Sequence, residues 1–519
     1  MISPLEKKRL SYVPQIPPLL KNIGSLSLEE VSRAKAPVAE LKSLFPRIFS
    51  APSYRVGKGK GKAARAQKVG VLFSGGPAAG GHNVLAGLFD ALKELNSRSQ
   101  LIGFLNGAAG VLESHSKELS AKMIDGVRNL GGFDLIGSGR TKIETAEQLA
   151  AAAETVRKYS LDALVIIGGD DSNTNAAVLA EYFLQHNVST RVIGVPKTID
   201  GDLRSQEIEL SFGFDSACKT YAELIGNIAR DAKSSRKYYH FIKLMGRSAS
   251  HITLECALAT HPNLALVGEE RKTLAEIVRQ IADLVRKRKQ AGKEYGVILV
   301  PEGLIEFMPE VKQLISELNK ILAEGKPPAA VESLLADAQR QTFRLLPEKI
   351  QQQLLFDRDP HGNVQVSQIA TEELLIELVK RELKDLKWSA QPHFFGYEGR
   401  CCLPSNFDAN YGYALGRLAA LAIKEEVTGV ICAIQFLAKS PEKWALRLVS
   451  IIQLMCLEMR KGKQKPVIQK ALVDIKGKVF AQYQKVRSTD ELEDRYRYPG
   501  PIQFFDPDVS DSVPLTLER

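Results

Sequence analysis

Cysteine, tryptophan and long apolar runs are all scarce in this chain of 519 residues. No apolar stretch approaches the ~20 residues needed to span a bilayer. The opening residues lack the basic-then-apolar pattern of a secretory leader. The six cysteines include one adjacent pair, Cys401 and Cys402, but no C-x-x-C with zinc spacing. Scattered among apolar residues, they have the usage of a reducing compartment, where cysteine packs as a small hydrophobe. A cytoplasmic location is therefore expected. Basic runs interleaved with aromatics, as RNA-binding modules carry them, are also missing.

What is present is a globular composition, 44% apolar and 25% charged. Lys and Arg number 70 and Asp and Glu 60, a net charge of +10. Such an excess suits nucleic acid, an anionic membrane or small anionic substrates. We expect most of it on a solvated surface and some focused on a phosphate site, with no nucleic-acid or membrane partner. The length implies two domains with an inserted or appended helical region.

Residues 1–66 show no repeating α/β pattern; they contain Pro14, Pro17 and Pro18, and helical spacing near Leu28–Leu44. The basic run Gly57–Lys62 resembles a phosphate loop only superficially. No glycine stands five places before Gly61, and Ala63 replaces the Ser or Thr that would hold a metal. It reads as a linker or exposed turn.

From Lys68 onward, short apolar runs alternate with helical stretches. Val69–Phe73, Leu161–Ile167, Arg191–Val195 and Tyr295–Val300 read as buried strands, and Asn83–Leu95 and Thr174–His186 as helices. This predicts βαβ units and a doubly wound parallel sheet, an α/β fold with its ligands at the strand ends. Residues from about 305 to 390 read as a mainly helical insertion, with helical spacing in Val311–Leu322 and Glu372–Leu386. Leu418–Val486 returns to helices with one strand at Gly429–Ile434, and the tail after Arg487 is expected to lie across the surface.

Three loops after predicted strands carry chemistry. The first, Ser74–Asn83, has four glycines within seven residues. Such a loop lets backbone amides approach an anion at a helix N-terminus, or is simply a tight turn. The second is Gly168-Gly169-Asp170-Asp171-Ser172-Asn173. Asp170 there suits Mg²⁺, which prefers carboxylate, water and phosphate oxygens; a helix N-cap is the alternative. The third is Pro196-Lys197-Thr198-Ile199-Asp200-Gly201-Asp202. It can supply a phosphate clamp, a donor, a base and a metal partner, or be a polar loop; three such loops in succession favour a functional site.

The series Gly75-Gly76, Gly169-Asp170-Asp171-Ser172, Pro196–Asp202 and Met245-Gly246-Arg247 resembles the phosphofructokinases in order and spacing, from about Lys68 to Gly416. Length, insertion and Lys197 resemble the long pyrophosphate-dependent branch. The resemblance implies two Rossmann-like domains: donor-binding at 67–214 with about 405–455, and sugar-phosphate at 215–404 including the insertion. An N-terminal extension, 1–66, and C-terminal helices and tail, 456–519, complete the chain. It also implies reversible, Mg²⁺-dependent transfer of a phosphoryl group from pyrophosphate to fructose 6-phosphate, in a homodimer or higher homo-oligomer.

By the same resemblance, Asp200 is the base that takes the proton of the sugar 1-hydroxyl, and Arg140 and Lys197 neutralise the transferring group. Gly75, Gly76, Asp171 and Lys197 face the donor, and Asp170 and Asp202 the metal. Thr198, Ile199, Asp200, Met245, Gly246, Arg247, Glu302, Tyr397, Glu398, Gly399 and Arg400 bind the sugar phosphate. Lys237 and Tyr238 resemble the segment that reaches a neighbouring subunit's sugar phosphate. ATP-dependent relatives carry Gly where this chain has Asp171 and, typically, Lys197. Asp171 crowds and repels a nucleotide α-phosphate, whereas Lys197 offers a point charge to a bare diphosphate. The competing expectations are an ATP-dependent enzyme and a catalytically silent regulatory subunit, which would lack the acidic loop residues present here.

Overall fold

The computed structural model describes residues 2–31, 37–59, 61–358, 363–460 and 463–501. The chain forms two compact units. Among the described residues, the first holds 2–217 and 399–471, and the second 218–398 and 472–501. Strands in chain order are β1 (Leu26–Val31), β2 (Ser53–Lys58), β3 (Lys68–Ser74), β4 (Gln100–Phe104), β5 (Ser116–Glu118), β6 (Ser138–Gly139), β7 (Ala163–Gly168) and β8 (Arg191–Pro196). The second unit contributes β9 (Tyr239–Leu244), β10 (Leu264–Ala265), β11 (Gly296–Pro301) and β12 (Ala390–Phe395). The chain then returns to the first unit for β13 (Val430–Gln435), β14 (Ala445–Ser450), β15 (Met455–Arg460) and β16 (Lys463–Ile468).

The first unit is built on a ten-stranded sheet in the order β1-β2-β14-β13-β8-β7-β3-β4-β5, with β6 paired to β3. Its middle, β13-β8-β7-β3-β4, is parallel. β7 and all of β3 except Lys68 are buried, because helices cover both faces of such a sheet. The helices Gly81–Leu95 and Asn406–Lys424 meet through glycine. A Cβ at Gly87 would stand 2.1 Å from Tyr413 O, and one at Gly416 2.1 Å from Val84 O. Only a residue without a side chain allows that approach. Asp408 fastens the same helix to the start of the helix Phe214–Ser235. Fully buried, it accepts from the Gly213 and Ser216 amides and the Ser216 hydroxyl. Burial, reinforced by Asp215, pushes its carboxyl up to about 7.

The second unit has a parallel four-stranded sheet, β10-β11-β9-β12. The helices of the insertion share its core. Val311, Leu314, Leu318, Ile350, Leu354, Leu374 and Leu375 are buried with Phe241, Ile298 and Val300.

Several sequence expectations are corrected. Leu28–Val31 is strand and not helix, since Leu26–Val31 pairs antiparallel with Ser53–Lys58; among the described residues of that region the one helix is Leu41–Leu44. Cross-strand pairing overrides the local helical spacing here. Gly57 and Lys58 of the basic run close β2, while Lys60 lies outside the described residues. β11 belongs to the small sheet, so the four predicted strands do not share one sheet. Residues 455–460 and 463–468, expected to be helical, form the antiparallel pair β15–β16, and a helix follows at Lys478–Leu492. Of the expected surface tail, 502–519 lies outside the described residues. Among those described, no helix is long and apolar enough to cross a membrane.

Candidate functional site

In the first unit, the glycine loop leaves β3 at Ser74 and turns through Gly75 (φ +86°) and Gly80 (φ +102°) into the helix at Gly81. Both backbones lie in the region that L-residues avoid. The two-residue β6 pairs Ser138 with Phe73 and Gly139 with Ser74. The Gly75 amide donates to Gly139 O at 2.8 Å. Arg140 is therefore held one residue from this contact, exposed, at the rim of the loop.

The second loop ends β7 at Gly168. Asp170 and Asp171 occupy the first turn of the helix Asp170–Gln185, where the positive end of the dipole favours acidic residues. The cap position is Gly169, so Asp170 is not the N-cap. Ser172 Oγ donates to Ser74 Oγ at 2.8 Å, tying this loop to the glycine loop. Asp171 is half-exposed, and its Oδ2 lies 3.2 Å from Lys142 Nζ.

The third loop leaves β8 with its lysine inside. Lys197 is buried, and its amide donates to Gly168 O at 2.9 Å. A Cβ at Gly75 would stand 3.1 Å from Lys197 Nζ, so the ammonium rests against the bare turn. A Cβ at Gly76 would likewise stand 3.3 Å from Arg400 Cζ. Burial lowers the Lys197 ammonium to about 8, helped by Arg400 and opposed by Asp200, Asp170 and Asp202. Farther along, Thr198 Oγ1 accepts from the Asp200 amide at 3.1 Å. Ile199 and Asp202 are buried.

One residue of this cluster belongs to no motif. Lys470, beyond β16, places Nζ 3.6 Å from Asp170 Oδ2 and 3.5 Å from Asp202 Oδ2. Burial raises the Asp170 carboxyl; Lys470 opposes the rise, and Asp171 and Asp202 add to it. Among the described residues, no three His, Cys, Asp or Glu groups form a preformed metal cage. Two carboxylates are nevertheless what Mg²⁺ needs when phosphate oxygens and water complete its shell. Asp170 and Asp202 fit that role. No sequence signal pointed to Lys470 or Lys142, because each meets its acidic partner only through the fold.

In the second unit, the predicted sugar-phosphate residues lie after β9 and β11. Buried Glu302 accepts from the Gly246 amide at 3.0 Å through Oε2, and its own amide donates to Leu244 O at 2.9 Å. Gly246 has φ +125°. A Cβ at Gly303 would stand 1.8 Å from Arg247 O, so the two loops are laced backbone to backbone. Glu302 thus braces Met245-Gly246-Arg247, and the Met245 amide donates to Phe395 O at 3.1 Å. Arg247 Nε lies 3.7 Å from Glu306. Glu398 accepts from the Gly396 amide at 2.8 Å, and Tyr397 is 65% exposed. The unit boundary divides this last motif, with Tyr397 and Glu398 in the second unit and Gly399 and Arg400 in the first.

Lys237 and Tyr238 do not join this group. They are exposed before β9, with Tyr238 at φ +66°, whereas Met245 follows the strand's other end. Six strand residues separate the two ends, about 20 Å.

The chain matches the family described as phosphofructokinase over residues 68–423. It is 49% identical to the pyrophosphate–fructose 6-phosphate 1-phosphotransferase of Treponema pallidum, covering 100% of this chain and 97% of that protein. It is 48% identical to the protein of the same name from Entamoeba histolytica, covering 99% of each. The crystal structure of a pyrophosphate-dependent phosphofructokinase from Nitrosospira multiformis superposes with a TM-score of 0.57 over 83% of this chain and 93% of that one. At 17% identity, that likeness concerns the fold. Loops, fold and relatives agree: this chain belongs to the phosphofructokinase family.

Proposed function

We propose that this chain transfers a phosphoryl group reversibly between pyrophosphate and the 1-hydroxyl of fructose 6-phosphate. The observation that carries the reading is the Lys197 ammonium, buried against Gly75 with acidic Asp171 on the neighbouring loop. A buried point charge beside bare backbone suits a small diphosphate, and an acidic side chain on the next loop disfavours the further phosphate of a nucleotide. Relatives bearing the pyrophosphate-dependent name at 48–49% identity support the same donor. The ATP-dependent alternative is not favoured. A silent regulatory subunit fits less well, because Asp170, Lys197, Asp200 and Asp202 are all present.

Phosphoryl transfer rests on in-line positioning and charge neutralisation more than on covalent catalysis. Asp200 accepts the proton of the 1-hydroxyl while that oxygen bonds to phosphorus and inorganic phosphate leaves. Lys197 and Arg140 neutralise the transferring group, and the side-chain-free Gly75–Gly76 turn leaves room for its oxygens. Thr198 holds the Asp200 loop in shape. Met245, Gly246, Arg247, Tyr397, Glu398 and Arg400 are assigned to the sugar phosphate, with Glu302 bracing the Met245–Arg247 loop. Mg²⁺, held by Asp170 and Asp202, would screen the diphosphate charge.

Exposed Lys237 and Tyr238, far along β9 from Met245, support a role toward another copy, and we assign the active species as a homodimer or larger. Cysteine usage supports a cytoplasmic location. The direct test offers pyrophosphate and ATP separately with Mg²⁺ and fructose 6-phosphate in a coupled assay. Turnover with pyrophosphate and little with ATP is expected; the reverse overturns the donor assignment.

A further inference from the structure

Lys470 is fastened on both sides while its side chain reaches into the acidic loops. The Ile468 amide donates to Thr174 Oγ1 at 3.0 Å, on the helix that begins at Asp170. The Ala471 amide donates to Asp202 O at 2.7 Å. Between these anchors the ammonium lies 3.6 Å from Asp170 and 3.5 Å from Asp202, with about one third of the side chain exposed. Both distances exceed the ~2.7–2.9 Å of a direct charge-assisted hydrogen bond. The ammonium stands between the two carboxylates.

These are the carboxylates assigned to the divalent cation. A dication at ~2.0–2.1 Å from the same oxygens leaves no place for an ammonium, because two cations would then repel within contact range. Lys470 must turn away as the cation enters. The strongest new partner for it is the anion that arrives with the cation, and phosphate oxygens accept lysine as a point charge. Lys197 and Arg400 border the glycine turn, and Lys470 stands at the acidic loops.

We propose that Lys470 is a donor-site residue that holds the cation's place between Asp170 and Asp202 and passes to the pyrophosphate oxygens when the cation binds. The proposal rests on the pyrophosphate reading above. It explains why a chain with acidic residues on two donor loops does not repel an anionic donor. The acidic pair stays neutralised in turn by Lys470 and by the metal.

The test uses the full chain as wild type, Lys470→Met and Lys470→Arg, with Mn²⁺ as an electron-paramagnetic probe. Without pyrophosphate, Lys470→Met should bind Mn²⁺ about 3- to 30-fold more tightly, since a competing charge is gone. With metal present, its pyrophosphate affinity should fall about 10- to 100-fold, the loss of one charged hydrogen bond. Its KM for fructose 6-phosphate should stay within about threefold, and Lys470→Arg should recover part of the pyrophosphate affinity. Tighter metal binding is a gain that a damaged fold would not give. Unchanged or weaker Mn²⁺ binding in Lys470→Met overturns the proposal, and so does tighter Mn²⁺ binding with unaltered pyrophosphate affinity. If wild type itself does not use pyrophosphate, the functional reading fails and takes this proposal with it; wild-type use with unaltered variants removes this proposal alone.

Discussion

The ammonium of Lys197 rests against Gly75, where a Cβ would stand 3.1 Å from its Nζ. The two residues come from different strand ends, and each fixes what the other can be. Gly75→Ala puts a methyl group beside the ammonium and a side chain on a backbone at φ +86°. The strain should cost roughly 1–2 kcal/mol, measurable by urea unfolding. The displaced ammonium should lower kcat/KM for pyrophosphate by about tenfold or more, while KM for fructose 6-phosphate moves little. Equal losses for both substrates would separate Gly75 from the donor.

Lys197 also sets a pH limit. Its folded value is depressed to about 8, chiefly by burial. The charged form needed to clamp a phosphate is present below that pH and lost above it. The pyrophosphate kcat/KM should therefore decline as pH rises through about 8, and that decline reports the free enzyme. Lys197→Arg should move the decline to much higher pH, since guanidinium stays charged. A decline at the same pH in Lys197→Arg assigns it to another group. Linkage runs the other way for stability. Between about 8 and the ordinary lysine value, the unfolded chain binds more protons, so this group's contribution becomes more favourable as pH rises.

Donor choice should follow Asp171 and Lys197. Lys197→Gly removes the buried point charge and should damage pyrophosphate use first. Asp171→Gly removes a like charge and also leaves Lys142 without that carboxylate at 3.2 Å. The change should begin to admit ATP at some cost in pyrophosphate activity. Because both loops are joined through Lys197 N to Gly168 O, the double mutant should depart from additivity. The readout is the ratio of kcat/KM for ATP to that for pyrophosphate. A ratio that stays flat across all three variants removes these residues from donor selection.

Asp200→Asn keeps the size of the side chain and removes the base. Turnover should drop by at least ~10²-fold with modest change in sugar affinity. Rates within a few-fold of wild type would mean that another group takes the proton.

The parts of the site that lie in one continuous stretch were legible in the sequence. Strand, glycine turn and helix at 69–95, and the acidic and lysine loops after β7 and β8, are local patterns. Apolar periodicity, turn chemistry and dipole preference act over a few residues and leave their mark there. Where local spacing was ambiguous, strand pairing decided the outcome: Leu26–Val31 pairs with Ser53–Lys58, and Met455–Arg460 pairs with the neighbouring Lys463–Ile468. The placement of Asp170 at the first helical position, and not at the cap, also needed backbone geometry.

Sequence by itself determined the family motifs, the acidic and basic loop residues and the α/β class, because each is written in adjacent residues. Only the tertiary structure decided that Arg140 stands at the glycine turn through the two-residue β6, that Lys142 meets Asp171, that Glu302 braces Gly246, and that Lys470 bridges Asp170 and Asp202. Those contacts join residues far apart in the chain. They are set by sheet order and core packing, and no single segment carries a pattern that records its partner in another.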